Sequence, residues 1–199
     1  MAKKQSKQKF DDHLFVALSI IIGLAITSAL ESWTLIIKNL ATIEISYFHS
    51  VWSLWAFFYA IQFWWGLWKY QDIRWDFGKF LLFLSMSVSI FLLNDLIYPD
   101  FVSGARLSLR DYFFEIRPWF FAVFSFLLLL TIVRSIRIAN RDRRDKINIA
   151  YYFSLLLSVV AALSDSLVLH NVGIAMGLGL FLFIAGRAAL RISLADEAV

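Results

Sequence analysis

Apolar residues run almost without interruption through six stretches of this chain, at about 14–37, 48–68, 77–97, 119–138, 147–169 and 172–192. Each is close to the roughly 20 residues that an α-helix needs to cross the hydrocarbon core of a bilayer. Within lipid a backbone has no water to bond, so a spanning segment must be a helix or part of a closed barrel. Barrel strands would alternate apolar and polar positions over about ten residues. These runs do not alternate, so the pattern predicts an all-α integral membrane bundle with six transmembrane helices in one domain, 1–199, led by a basic tail at 1–11.

The connections are short. The turn between the fifth and sixth spans is little more than His170-Asn171, which predicts a tight antiparallel hairpin. The longest connection, 98–118, mixes apolar and charged residues over Leu107–Arg117. That composition suits a short helix lying in the interface, with Pro118 in the first turn of the fourth span, where a missing N–H costs little.

The basic residues orient the bundle. With the N-terminus in the cytoplasm, the inner side holds Lys3, Lys4, Lys7, Lys9, Lys69, Arg74, Lys79, Arg134, Arg137, Arg141, Arg143, Arg144, Lys146, Arg187 and Arg191. The outer side holds only Lys38, Arg106, Arg110 and Arg117. Cytoplasmic loops carry the excess of Lys and Arg, so both termini are expected inside. Trp52 and Trp55 lie near one end of the second span, and Trp64, Trp65 and Trp68 near the other. Trp52 to Trp68 measures about 24 Å along a helix, which suits two interfacial aromatic belts; a Trp-rich packing seam is the alternative. The basic start and first apolar run loosely resemble a secretory signal. Asp11 and Asp12 just before the run, and its continuation past Ala29, favour a retained helix.

Composition agrees with lipid rather than water as solvent. Hydrophobic residues make up 60% of the 199 and charged residues only 17%, against about 45–50% and about 25% in soluble domains. The net charge of +4 is explained by topology, so no nucleic acid is expected as a partner. The absence of cysteine excludes disulfides, thiolate metal sites and a catalytic thiol. The chain contains no phosphate-binding glycine loop, no His-Glu-x-x-His pair and no nucleophile elbow. Its three histidines are too scattered for a zinc site, and His49 with His170 would hold haem only at the bilayer edge, so no cofactor is expected.

The remaining chemistry lies in the ionisable residues near the outer ends of the spans: Glu31, His49, Asp95, Glu115, Arg117, Asp165 and His170. Ionisable groups in a span are costly and face a partner or a cavity. Converging carboxylates and imidazoles could bind a cation or relay a proton. The plainer expectation is that they anchor helix ends at the interface. Small residues recur at helical spacing in Ser19-Gly23-Thr27, Ser85-Ser89, Ser154-Ser158 and Gly173-Gly177, as close helix packing requires. On the inner side Arg134, Arg137, Arg141, Arg143, Arg144 and Lys146 form a basic loop, suited to anionic headgroups or a soluble partner.

The stretches DHLFVALSIIIGLAITSALES (Asp12–Ser32) and FHSVWSLWAFFYAIQFWWGLW (Phe48–Trp68), with the charged Arg110–Trp119 before the fourth span, resemble a broad group of uncharacterised bacterial multi-pass membrane proteins. The resemblance implies the bacterial inner membrane and carries no activity. The sequence therefore leads to two expectations. One is a non-enzymatic membrane module, such as a sensor, scaffold or complex subunit. The other is a channel or transporter for protons, cations or small solutes that uses the outer polar cluster. Self-association remains open for so small a bundle.

Overall fold

A computed structural model describes residues 2–70, 73, 75–100, 106–138, 144–164, 168 and 171–173, with side chains from 13 to 138 and from 152 onward. The described chain is helical apart from one short strand pair. Its elements are α1 (Ala2–Lys38), β1 (Ile43–Glu44), α2 (Tyr47–Leu67) with a 3₁₀ turn at Trp68–Tyr70, α3 (Phe77–Leu96), β2 (Leu107–Ser108), α4 (Leu109–Ile138) and α5 (Arg144–Leu163). The expected sixth span lies outside the described residues, except for its first two positions, Val172 and Gly173.

Among the described residues, three helical stretches are long and apolar enough to cross a membrane: His13–Lys38, Phe77–Leu96 and Leu109–Ile138. The helix α2 is comparable in length, but His49, Gln62 and its Trp and Tyr residues dilute its hydropathy. In α5 the described apolar part is Tyr152–Leu163.

The chain runs back and forth. At one end the start of α1 meets the end of α2, where Phe15 lies 6.4 Å from Trp68. The turn after α2 meets the start of α3 there, through Tyr70 and Phe83 at 4.9 Å. At the opposite end the α1–α2 and α3–α4 connections form a parallel bridge, pairing Ile43 with Leu107 and Glu44 with Ser108. Thus α1 packs on α2 and α3, α3 packs on α4, and α4 carries α5.

The helix α4 begins ten residues before the expected span. Residues 109–117 continue the helix instead of lying apart in the interface, and Pro118 falls inside it. Proline removes one backbone donor and crowds the preceding turn. Apolar side chains on both sides of Pro118 hold the helix together: Phe113 before it and Phe120 and Phe121 after it are essentially inaccessible.

The core is aromatic. Trp52 reaches Phe120, Phe121 and Phe124 at ring separations of 5.9, 5.1 and 6.3 Å. Trp55 stacks on Tyr59 at 5.1 Å and meets the edge of Phe124 at 4.8 Å. Those two tryptophans form a packing seam between α2 and α4. By contrast Trp64, Trp65 and Trp68 are exposed, as a belt requires.

On α1 the buried stripe is Leu18, Ile22, Ala25 and Ala29, at the spacing of one helix face. The expected stripe Ser19-Gly23-Thr27-Glu31 turns away from the core: Gly23, Thr27 and Glu31 are exposed, and a Cβ at Gly23 would meet nothing within 4 Å. Thr27 spends its hydroxyl on the Gly23 carbonyl of its own helix, 2.9 Å away. The small residues that do face the core include Ala25 and Ala29 of α1 and Ala56 and Ala60 of α2, all buried.

Asp76 caps α3 by accepting the Lys79 amide hydrogen at 2.9 Å, and its carboxylate pairs with the Lys79 ammonium at 3.1 Å. The Lys79 N–H, followed by the Lys79 side chain, holds the Asp76 carboxyl below its ordinary range. A depressed folded-state value contributes stability that is present above the unfolded value of about 3.9 and is lost as pH falls through the lower folded value. Asp76→Asn keeps the cap but removes this titration, so its melting temperature in detergent should lose the acid-limb slope that the parent shows below about pH 4. In the core, Phe83→Ala should cost about 3–5 kcal/mol, whereas exposed Trp65→Ala should stay within about 0.5 kcal/mol. Chemical unfolding in mild micelles measures both.

Candidate functional site

The outer polar residues predicted from sequence fall into separate environments. His49, in the first turn of α2, is 1% exposed. Its Nε2 lies 2.9 Å from the Ile97 carbonyl oxygen. A carbonyl can only accept, so Nε2 carries the proton and donates it. The ring also meets Tyr98 edge-on at 5.7 Å. His49 is therefore spent on joining the start of α2 to the end of α3.

Asp95 is exposed on α3 and accepts a long hydrogen bond, 3.4 Å, from Ser28 of α1. Glu31 lies one turn beyond Ser28, exposed, with no partner among the described residues. Glu115 and Arg117 part company on α4. Two residues apart on a helix are about 200° apart around its axis; Glu115 is exposed, while Arg117 is buried with its guanidinium 5.7 Å above the Phe114 ring. Asp165 and His170 lie outside the described residues. Among the described residues, no three His, Asp or Glu side chains gather as a metal site would require.

The polar residues that do join helices include several that sequence reasoning passed over. Asn94 is fully buried, and its amide donates to Ala56 O of α2 at 3.2 Å and to Ile90 O at 3.0 Å. Tyr112 of α4 places its hydroxyl 2.9 Å from Leu96 O and 2.8 Å from Tyr98 O, sharing one proton between carbonyls at the end of α3. Ser158 of α5 donates to Leu155 O at 2.8 Å, so Ser125 of α4 supplies the proton of the 2.7 Å Ser125–Ser158 bond. Asn94 carried a signal, being a strong polar group within an apolar run. Tyr112 carried none, because it falls where a short helix lying apart in the interface was expected.

Tyr98 follows α3 and is buried. Burial pushes its phenol well above the ordinary value, against a smaller downward pull from Ser53 and Trp33 nearby. No hydrogen bond of good geometry reaches its hydroxyl. The phenol stays neutral at physiological pH and acts as a packing group beside His49.

Two cavities are lined by described residues. A groove of about 510 Å³ between α3 and α4 is lined by Leu84, Val88, Leu92, Trp119, Val123 and Phe126, with Ser85, Ser89 and Ala122. Ser89 in it satisfies itself on Ser85 O at 2.7 Å. A second cavity, about 370 Å³, lies at the paired connections and includes Thr42, Glu44, Arg106 and Ser108. Neither is lined by Glu31, His49, Asp95, Glu115 or Arg117.

Of the basic loop, Arg134 and Arg137 end α4; Arg134 is half-buried and Arg137 exposed. Arg144 and Lys146 lie in the first turn of α5, and Arg141 and Arg143 fall outside the described residues.

Comparison of the chain with protein-family models, with curated proteins and with solved structures finds no match. Long apolar helices with lipid-type composition mark it as a helical membrane protein. Because His49 supplies the donor for a buried carbonyl, His49→Phe should cost about 1–3 kcal/mol. His49→Gln should recover part of that loss by restoring a donor. Melting curves of the three proteins in the same detergent make the comparison.

Proposed function

We propose that this protein is a six-span module of the bacterial inner membrane, with both termini in the cytoplasm. In this reading it acts without catalysis, as a sensor, scaffold or subunit of a larger complex. The observation that carries the reading is how its polar groups are used. His49, Asn94, Tyr112 and the Ser125–Ser158 pair close bonds between elements. The described carboxylates are exposed, Glu31 on α1, Asp95 on α3 and Glu115 on α4, and among the described residues no three acids or histidines gather. A transport path needs such groups to share a cavity, so this arrangement favours the module over a channel or transporter.

The charge distribution supports the orientation. Lys69, Lys79, Arg134 and Arg137 stand at one end of the bundle, and Lys38, Arg106 and Arg110 at the other. Residues 2–12 extend α1 at the more basic end by a further three turns, with Lys3, Lys4, Lys7 and Lys9. At 1.5 Å per residue the apolar part of α1 spans about 39 Å, so it reaches headgroups on both sides or tilts.

Reconstituted into proteoliposomes, the parent, Glu31→Gln and Asp165→Asn should all pass protons and monovalent cations at the rate of empty vesicles. Flux above that background in the parent, lost in either variant, would replace the module reading with transport. Tags at the two chain ends should both resist impermeant reagents in intact cells.

A further inference from the structure

The more basic end of the bundle carries an arrangement that the helix bonds do not account for. Arg134, near the end of α4, holds its guanidinium 5.9 Å above the Tyr70 ring. Tyr70 closes the 3₁₀ turn after α2 and leans on Phe83 at 4.9 Å. Trp75 leans on the same Phe83 at 5.3 Å. Trp75 is 7% exposed, and its indole Nε1 is buried without a hydrogen-bond partner. Lys69 precedes Tyr70 and is exposed; Arg137 is one turn beyond Arg134 and also exposed. The single ion pair among the described residues is Lys79 with Asp76, so no described acid neutralises Arg134, Arg137 or Lys69.

We propose that Tyr70, Arg134 and Lys69 form a site for the phosphate of an anionic phospholipid headgroup, with Arg137 at its rim. The proposal rests on reading the chain as membrane-spanning. A guanidinium parked on an aromatic face is orientationally restrained, and its planar fork matches phosphate oxygens in pairs. The site's level fits a headgroup: apolar residues of α4 run to Val133, and Arg134 begins its polar end. Lys69, beside Tyr70 in the chain, and Arg137, one turn beyond Arg134, add positive charge at the same end of the bundle. The acyl chains of such a lipid would lie along the exposed apolar surface of the bundle.

The test uses the full chain, delipidated in a zwitterionic detergent, with native mass spectrometry counting bound lipid. Dioleoyl phosphatidylglycerol, dioleoyl phosphatidylcholine and inorganic phosphate are the probes. The parent should prefer phosphatidylglycerol over phosphatidylcholine at least about five-fold, and Arg134→Gln should weaken phosphatidylglycerol about five-fold. Arg134→Lys should restore only part of the loss, since it returns the charge without the fork. Arg106→Gln, at the opposite end, should bind as the parent does. If Arg134→Gln fails to fold, the exposed Lys69→Gln should show a loss in the same direction.

Parent-like selectivity in folded Arg134→Gln or Lys69→Gln would overturn the site. So would displacement of the lipid by equimolar inorganic phosphate, which would assign the site to a soluble anion. A positive flux result would sink the module reading and leave this site standing, whereas lost lipid selectivity would do the reverse.

Discussion

Inside a bilayer a buried donor or acceptor has no water to return to, and lipid tails give apolar surfaces no reason to leave them. That constraint shapes the described bundle. Helices cannot be driven together by burying leucine, so they are held by ring packing and by a few hydrogen bonds between elements. The bond from His49 to Ile97 O and that from Asn94 to Ala56 O join α2 to the α3 region at two levels. Tyr112 then ties α4 to the same end of α3. Removing the donor in any of these leaves a carbonyl in a medium that cannot solvate it.

The aromatic residues supply the second kind of adhesion. Edge-to-face contacts around Trp52, Phe120, Phe121 and Phe124 fill the space between α2 and α4 with rigid, polarizable surface. Such pairs contribute beyond the area they cover. The same packing gives α4 a reason to begin early. Phe113, just over one turn into α4, finds a buried position near Phe120 at 6.4 Å, so residues expected to lie flat at the interface join the bundle.

The two ends of the bundle differ in their use of charge. At the end with the strand pair, cation and acid are mixed and mostly exposed: Glu31, Asp95 and Glu115 face outward while Arg117 is drawn into the core beside Phe114. At the other end cations outnumber acids, and the Arg134 guanidinium is held over the Tyr70 ring. The first arrangement resembles solvated helix ends. The second is what an anionic layer attracts.

The sequence by itself determined the helical class, the positions of three long apolar helices and the sign of each end, because hydropathy and charge are summed locally along the chain. It carried Asn94 as a polar residue in an apolar run, but not the Ala56 carbonyl that gives that residue its role. Which residues of a helix face inward was decided only by the tertiary structure. The small-residue stripe of α1 turned out, and the alanines of α2 turned in, because a helix rotates to bury the face its neighbours can fit. His49 looked like a proton-handling group until the end of α3 was placed against it. Tyr112 had no visible role until the connection before Pro118 became helix. Partners from distant segments made those assignments, and their separation along the chain hid them from any local reading.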